Sequence, residues 1–324
     1  MKTRNIAYMM LRETGMGVAL LLIVVLFALF APKFASFSNF TNILTQISIN
    51  SAISVGMTFV ILLGGIDLSV GSVLSLATIV AGMLMVNETL PTGLVVAMSV
   101  VASMLVGMAC GFFNGFVTER WKVHSFIVTL GMLNIARGAA LQVSNSRTFF
   151  RFPLAFNAVG SQEIFGIPII FIIAALLVVI GSFVLNRTVF GRLIYAIGNN
   201  EEAVRLSGHN TRKYKIAAFT ICGGTVGIAA ILYMLRLNIS SPILGVGFEL
   251  NAIAAVVIGG TSMSGGKGSL AGTFIGACIM GVLNNGLLLI GLGDFARQMV
   301  TGLVIILAVV LDTYLNRLSK MLHE

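Results

Sequence analysis

The chain has 324 residues, of which 57% are hydrophobic and only 10% charged, whereas a soluble domain carries roughly a quarter charged residues. Surface-to-volume scaling leaves a soluble fold too many water-facing positions to hide so much apolar side chain, so the composition excludes a soluble globular protein and makes lipid the suitable solvent. The net charge of +9 would suit nucleic acid, but the cations fall in short loops between apolar runs, and that placement excludes a nucleic-acid partner.

Ten apolar runs approach the roughly 20 residues that a helix needs to cross a bilayer core of about 30 Å. The first, 16–32, follows Lys2, Arg4 and Arg12. It could pass for a signal peptide, but no small-x-small cleavage pair follows and Pro32–Lys33 leads into an ordinary loop, so a retained helix is expected. The second, 43–63, runs into Gly64-Gly65-Ile66-Asp67-Leu68-Ser69-Val70-Gly71-Ser72. A short third run, 70–86, precedes a fourth at 91–117, long enough to tilt or bend, and a fifth at 125–143. The polar stretch 144–166 separates these from a sixth run at 167–185. The longest polar stretch, 186–213, precedes the seventh, 214–235. A short eighth run, 249–262, leads into a glycine-rich string through Ser269, and the runs 270–290 and 297–315 complete the set. Val18–Phe30 and Ile167–Gly181 are continuously apolar, which excludes the alternating strands of a membrane β-barrel. The expected fold is a single all-α transmembrane domain over 1–324 with about ten helices.

With the N-terminus inside, fourteen of the twenty Lys and Arg residues fall in loops on that side; the others are Lys33, Arg137, Arg147, Arg151, Arg236 and Arg297. The positive-inside rule therefore places both termini and the 186–213 loop in the cytoplasm, and 144–166 outside it. No loop is large enough for a soluble domain, so any energy-converting machinery sits on another chain. Cys110, Cys222 and Cys278 lie inside predicted spans without C-x-x-C spacing and read as small packing residues rather than a metal or disulfide framework. His124, His209 and His323 are scattered, with no H-E-x-x-H or nucleophile elbow. No catalytic residue and no metal ligand is assigned.

Four features carry functional weight. Glu201-Glu202-Ala203-Val204-Arg205-Leu206-Ser207-Gly208 has helix-start and helix-stop chemistry, with Asn199 or Asn200 as N-cap, two glutamates at the positive end and Gly208 for a left-handed C′ position. Such a helix is either a solvated loop element or a plug for a partner protein. Asp67, between apolar helices, is costly unless paired or hydrated. It fits a cap on the helix starting near Ser69–Val70, a substrate or gate contact, or proton coupling, although no second intramembrane acid supports a relay. Gly259–Gly268 echoes the Gly64–Ser72 string, and paired glycine-broken segments in two halves point to a translocation path. It is not a P-loop, because Thr261 and Gly268 stand where Gly and Ser/Thr are required. Asn114, Asn284 and Asn285, inside apolar helices, suit interhelical hydrogen bonds or the lining of an aqueous path. Glycine pairs such as Gly107–Gly111 and Gly272–Gly276 fit close helix packing. Arg137 and Arg236 are expected to snorkel, and Glu249 to cap the eighth helix or meet an incoming protein.

Taken in order, Gly64–Ser72, Phe126-Ile127-Val128-Thr129-Leu130-Gly131, Gly191-Arg192 with Tyr195–Asn200 and Glu202–Gly208, Ala252–Ser262 with Gly265–Gly268, and Leu283-Asn284-Asn285-Gly286-Leu287 resemble ribose-type ABC permeases over about Asn39–Asp312. The resemblance implies a permease subunit of an ATP-driven sugar importer in a bacterial inner membrane. It implies pairing with a second permease, identical or related, and with two cytoplasmic ATPase subunits that bind the ATP. A periplasmic sugar-binding protein would deliver the substrate. It makes Glu201, Glu202, Ala203, Arg205, Leu206 and Gly208 a coupling helix, while Asp67, Ser69, Asn114, Asn284 and Asn285 stand, from their own setting, as candidates for the pore or gate. One departure stands at Glu202-Ala203-Val204, where the wider signature carries Glu-Ala-Ala. The rival class is a secondary transporter of a small polar solute driven by an ion gradient.

Overall fold

The structure, a computed structural model, describes residues 2–87 and 89–321. His323, and the side chains of Lys2, Arg4, Arg12, Arg317 and Lys320 used in the charge count, lie outside the described residues.

Helices dominate, in the order α1 Lys2–Phe30, α2 Phe37–Leu62, α3 Val70–Met85, α4 Thr92–Trp121 and α5 Ser125–Ser144. After strand β1 Phe149–Phe150 come α6 Leu154–Gly160, β2 Glu163–Ile164, β3 Ile167–Pro168 and α7 Ile169–Arg187. Then follow α8 Val189–Asn199, α9 Glu201–Leu206, α10 Thr211–Leu237, β4 Ile239–Ser240, α11 Phe248–Ile258, α12 Leu270–Leu289 and α13 Asp294–Met321. Among the described residues, six helices (α2, α4, α5, α7, α10 and α12) are long and apolar enough to cross a membrane. Gly15–Phe30, Val70–Met85 and Phe248–Ile258 are apolar but shorter, and the tenth predicted span lies within α13. The chain is thus an all-helical, multi-pass membrane protein, with four two-residue strands as its only extended pairings among the described residues.

Within their most apolar stretches α2 is 78% and α10 67% buried, whereas α4, α5 and α7 are only 22% buried. A helix apolar all round belongs in the interior or against lipid, so α2 and α10 form the centre and the other three face outward. The core follows from this: Ile53, Met57 and Ile61 of α2 pack with Val226 and Ala230 of α10 and Leu74 of α3. Helix α10 lies against α4 at glycine notches. A Cβ on Gly107 would strike the Gly223 carbonyl, one on Gly111 the Phe219 carbonyl, and the Ser103 hydroxyl donates to the Gly227 carbonyl at 2.7 Å. The predicted Gly272–Gly276 notch likewise seats α12 on α11 at Gly259 and Ala255.

Both glycine strings end helices by the same cap. At α2 the Gly65 amide donates to the Val60 carbonyl and Gly64, at φ +76°, to Ile61; at α11 the Thr261 amide donates to Val256 and Gly260, at φ +81°, to Val257. These are paired Schellman bonds around a left-handed glycine. The structural match is Gly64 with Gly260, one residue away from the match suggested by aligning the two Gly-Gly pairs. The two breaks touch, because the Gly266 amide donates to the Leu62 carbonyl at 2.8 Å. They therefore lie at one end of the bundle, as segments of the same sense. At the other end β1 pairs antiparallel with β4, joining the 144–166 segment to the stretch after α10.

Candidate functional site

The end of the bundle that carries both breaks also carries α8 and α9. Helix α8 falls within the stretch read from sequence as one polar loop, although Phe190, Leu193, Ile194 and Ile197 repeat at the i, i+3, i+4, i+7 spacing of an amphipathic helix. Thr188 caps it by accepting the Gly191 amide at 3.1 Å. Helix α9 has the anticipated ends: Asn200 accepts the Ala203 amide at 3.0 Å, and Gly208 takes φ +85°. The His209 amide reaches back to the Val204 carbonyl and Gly208 to Arg205, again a Schellman pair.

This short helix has two distinct faces. Val204 is buried with Leu193 and Ile197. Glu202, Ala203, Arg205 and Leu206 face out, Leu206 with 78% of its surface exposed. The departure from Glu-Ala-Ala at Val204 is therefore a matter of internal packing, since that side chain does not reach the outer face. Glu202 and Arg205 pair at 2.6 Å on the exposed side.

Glu201, half-buried, turns the other way. Its carboxylate accepts from Lys215 Nζ at 2.5 Å and from the Thr211 hydroxyl at 3.0 Å, both on α10. Burial alone would raise its pKa, but the hydrogen bonds and charge of Lys215, helped by Thr211 and Lys122, outweigh that and hold it below the ordinary carboxylate range. The same Lys215 Nζ lies 3.0 Å from the buried carboxylate of Glu119, near the end of α4, which Lys122 also pairs at 2.8 Å. One lysine thus ties α9, α10 and α4 together. Sequence reasoning does not single out Glu119, Lys122 and Lys215 as a site. The available signal is a lone acid among the cations of Glu119-Arg120-Trp121-Lys122, whose charges enter only the topology count.

Asp67, Ser69 and Asn114 come together. Asp67 Oδ1 accepts the Ser69 amide at 2.9 Å and the Ser69 hydroxyl at 2.6 Å. Asn114 Nδ2, from α4, donates to Ser69 Oγ at 3.0 Å and to Asp67 Oδ2 at 3.4 Å. All three side chains are buried. Asp67 therefore orders the approach to α3 by fixing Ser69, the N-cap residue, rather than bonding into the helix itself. From α5, Ser125 Oγ accepts the Ile66 amide and Thr129 Oγ1 the Leu68 amide, each at 3.1 Å. Lipid offers no such partners to a broken backbone. A polar cavity of about 200 Å³ lies beside this break, lined by Gly64, Gly65, Glu119, Lys122, Ser125 and Lys215 among others.

Asn284 and Asn285 are elsewhere. Asn285 exchanges two hydrogen bonds with Asn39, at 3.0 and 2.9 Å, while Asn284 is half-buried. Asn39 lies near the start of α2 and the Asp67 cluster beyond its end, so the two sets are separated by roughly 35 Å of helix at 1.5 Å per residue. Asn285 joins two helices, one of the two roles its sequence setting suits. Arg137 departs from the snorkelling expectation: its Nη1 donates to the Pro242 and Leu244 carbonyls at 2.6 and 2.7 Å, clamping the segment that enters α11. Glu249 accepts the amide of Gly247, the residue that starts this helix, at 3.2 Å. Arg236 reaches Asn42 at 3.3 Å.

The profile of the family described as branched-chain amino acid transport system, permease component, matches residues 39–309. The chain is similar to the ribose import permease protein of Haemophilus influenzae, at 40% identity over 92% of each chain. It is similar to that of Bacillus subtilis at 38% over 93% of each. The D-allose transport system permease protein of Escherichia coli K12 is 36% identical over 92% of this chain and 90% of its own. No solved structure matches the chain.

Proposed function

Because this chain belongs to the permease-component family of branched-chain amino acid transport systems, we propose that it is the transmembrane permease subunit of an ATP-binding-cassette importer that moves a small sugar, ribose or a related monosaccharide, across a bacterial inner membrane. Relatives named for ribose and allose, alike over more than nine-tenths of the chain, favour a sugar over the amino acid in the family's description. The same relatives do not favour the ion-gradient alternative. Members of this family carry solutes and are not enzymes; ATP is bound by a separate subunit.

The observation that carries the reading is the outer face of α9. Glu202, Ala203, Arg205 and Leu206 form an exposed patch on a helix capped at both ends, and Leu206 leaves an apolar side chain open at its C-terminal edge. Such a patch suits the groove of a cytoplasmic ATPase subunit, two of which would serve a permease pair. Glu201 and Gly208 hold the helix in place for that contact. Pairing with a second permease, identical or related, is supported by α5, whose outward stripe of Ile127, Leu130, Gly131, Asn134, Ile135 and Gly138 follows helical spacing and has open space around both glycines. Ten spans, with both termini and α9 on the cytoplasmic side, agree with the loop charges. A periplasmic sugar-binding protein would dock at the opposite end. The Asp67, Ser69 and Asn114 cluster would hold the bend at the inner gate, and Asn284 would face the solute path. Closure of the ATPase pair would push α9 and so reset both breaks, a linkage between two-state elements.

Uptake of labelled ribose into vesicles holding the permease, ATPase and binding protein tests this. Uptake should require ATP, survive an uncoupler and vanish in Leu206→Glu while the permease still inserts. Uptake that continues without ATP but stops with the uncoupler would overturn the reading. Labelling a Ser207→Cys variant from the periplasmic side would overturn the orientation.

A further inference from the structure

On the outward side of α4 and α10 an apolar groove of about 580 Å³ runs between the helices. Met108 and Phe112 form one wall, Ala217, Ile221 and Gly224 the other, and Lys213 closes one end. Helix α10 climbs eleven residues from Lys213 to Gly224, about 16 Å at 1.5 Å per residue. That is the depth of one leaflet in a hydrocarbon core about 30 Å thick.

The mouth of the groove is basic and aromatic. Phe116 stacks on Phe112 with centroids 5.9 Å apart and meets Trp121 edge-on at 6.1 Å. The Arg212 guanidinium lies 5.5 Å over Phe116, and that of Arg120 5.9 Å from the Trp121 centroid. The neighbouring acids are already engaged: Glu119 with Lys122 and Lys215, Glu201 with Lys215, and Glu202 with Arg205. Among the described residues no carboxylate pairs with Arg120, Arg212 or Lys213. Three uncompensated cations and an interfacial tryptophan above a leaflet-deep apolar slot have the chemistry of a bound lipid with a negative headgroup.

We propose that this groove holds one acyl chain of an anionic phospholipid, with its phosphate on Arg212 and Lys213 and Arg120 beside them. The assignment to the cytoplasmic leaflet rests on the orientation proposed above; the preference for a negative headgroup does not.

Trp121 is the only tryptophan in the chain, so its fluorescence reports on the groove. The full chain is reconstituted in phosphatidylcholine vesicles doped with phosphatidylglycerol or phosphatidylcholine bearing brominated chains, equally in both leaflets. The brominated phosphatidylglycerol should quench Trp121 at lower mole fraction than the brominated phosphatidylcholine. Arg212→Gln and Lys213→Gln should each lower that preference about fivefold. Ala217→Leu with Gly224→Leu, which fills the slot without changing charge, should weaken quenching by phosphatidylglycerol. Added inorganic phosphate should leave the quenching unchanged. Equal quenching by both lipids in the unmodified chain would overturn the proposal, and so would the absence of quenching by either, which would mean that protein covers the groove. Loss of the preference on adding phosphate would assign the cations to a free anion instead. Because both leaflets carry the probe lipid, a wrong orientation would leave these outcomes intact.

Discussion

The two helix breaks share a cap but are held in place differently. The first, between α2 and α3, is pinned by side chains: Ser125 and Thr129 of α5 take its amides, and Asp67 with Asn114 of α4 fixes Ser69. The second, between α11 and α12, is pinned through α8. Asn199 Nδ2 donates to the Gly266 carbonyl at 3.2 Å, the Tyr195 hydroxyl to the Gly268 carbonyl at 2.9 Å, and Gly266 itself bonds Leu62. Helix α8 leads into α9 through the single extended residue Asn200, so a displacement of α9 reaches the second break with α8 as its arm. It reaches the first break through Leu63, which packs against the Leu193, Ile197 and Val204 cluster, and also by way of Lys215, Glu119 and the length of α4 up to Asn114. The second break is thus attached to α9 through α8, and the first carries an ionic latch as well.

The arm is the place to break this arrangement most severely. A Cβ on Gly198 would land on the Leu62 carbonyl and the Gly266 amide, both backbone atoms with nowhere to go. Gly198→Val is expected to lower stability by about 3 kcal/mol, read as the unfolding midpoint in detergent. Gly208→Ala is the matched control, because Gly208 sits at φ +85° with open space around it and should lose only about 1 kcal/mol to backbone strain. Equal losses would remove the close α8 contact from the account. The pinning groups come next. Asp67→Ala strips the buried Ser69 amide and hydroxyl of their acceptor and should cost about 2 kcal/mol, whereas Tyr195→Phe, which frees one carbonyl at the second break, should cost about 1 kcal/mol. A larger effect at Tyr195 would make the second break the more tightly held of the two.

Much of this is legible in the sequence, for physical reasons that also explain what is not. The apolar runs, the caps of α9 and the glycine notches follow from local rules, and each is present in the fold. Helix α8 carries its signal openly in the spacing of Phe190, Leu193, Ile194 and Ile197, but it lies inside a polar stretch that reads as one loop. The Asn39 and Asn285 pair, 246 residues apart in the chain, has no local signature, since a lone asparagine in an apolar helix fits packing and path-lining alike. Arg137 shows the same limit: its distance from the end of a run suggests snorkelling, and only the fold brings the Pro242 and Leu244 carbonyls within reach. Lys215 is invisible as a latch because its two acids come from different helices.

That latch sharpens the comparison further. Lys215→Met leaves the buried Glu119 with Lys122 alone and Glu201 with the Thr211 hydroxyl alone, so the first break should lose its ionic link to α9 while the second keeps its own. Coupling between Lys215→Met and Glu119→Gln in a double-mutant cycle should be about 1 kcal/mol. In the assembled transporter, Lys215→Met should retain ATP hydrolysis but weaken its dependence on sugar-loaded binding protein. Additive mutants with normal coupling would show that the latch only fills space.

The smallest effect is the most specific to α9. Glu201 is held below its ordinary value of 4.5 in the folded chain. A carboxylate with a depressed folded pKa contributes stability that is fully present above the unfolded value and disappears as pH falls through the folded one. Acidification from about pH 5 to pH 3 should therefore loosen α9 from α10, by under about 1 kcal/mol because the pair is partly hydrated. The protection factors of the Ala203 to Ser207 amides, taken against the intrinsic exchange rate at each pH, should fall over that window in the unmodified chain. In Glu201→Gln they should already be lowered at neutral pH and change little on acidification. Parallel curves for the two proteins would mean that the Lys215 contact does not hold α9, and the ionic route to the first break would lose its starting point.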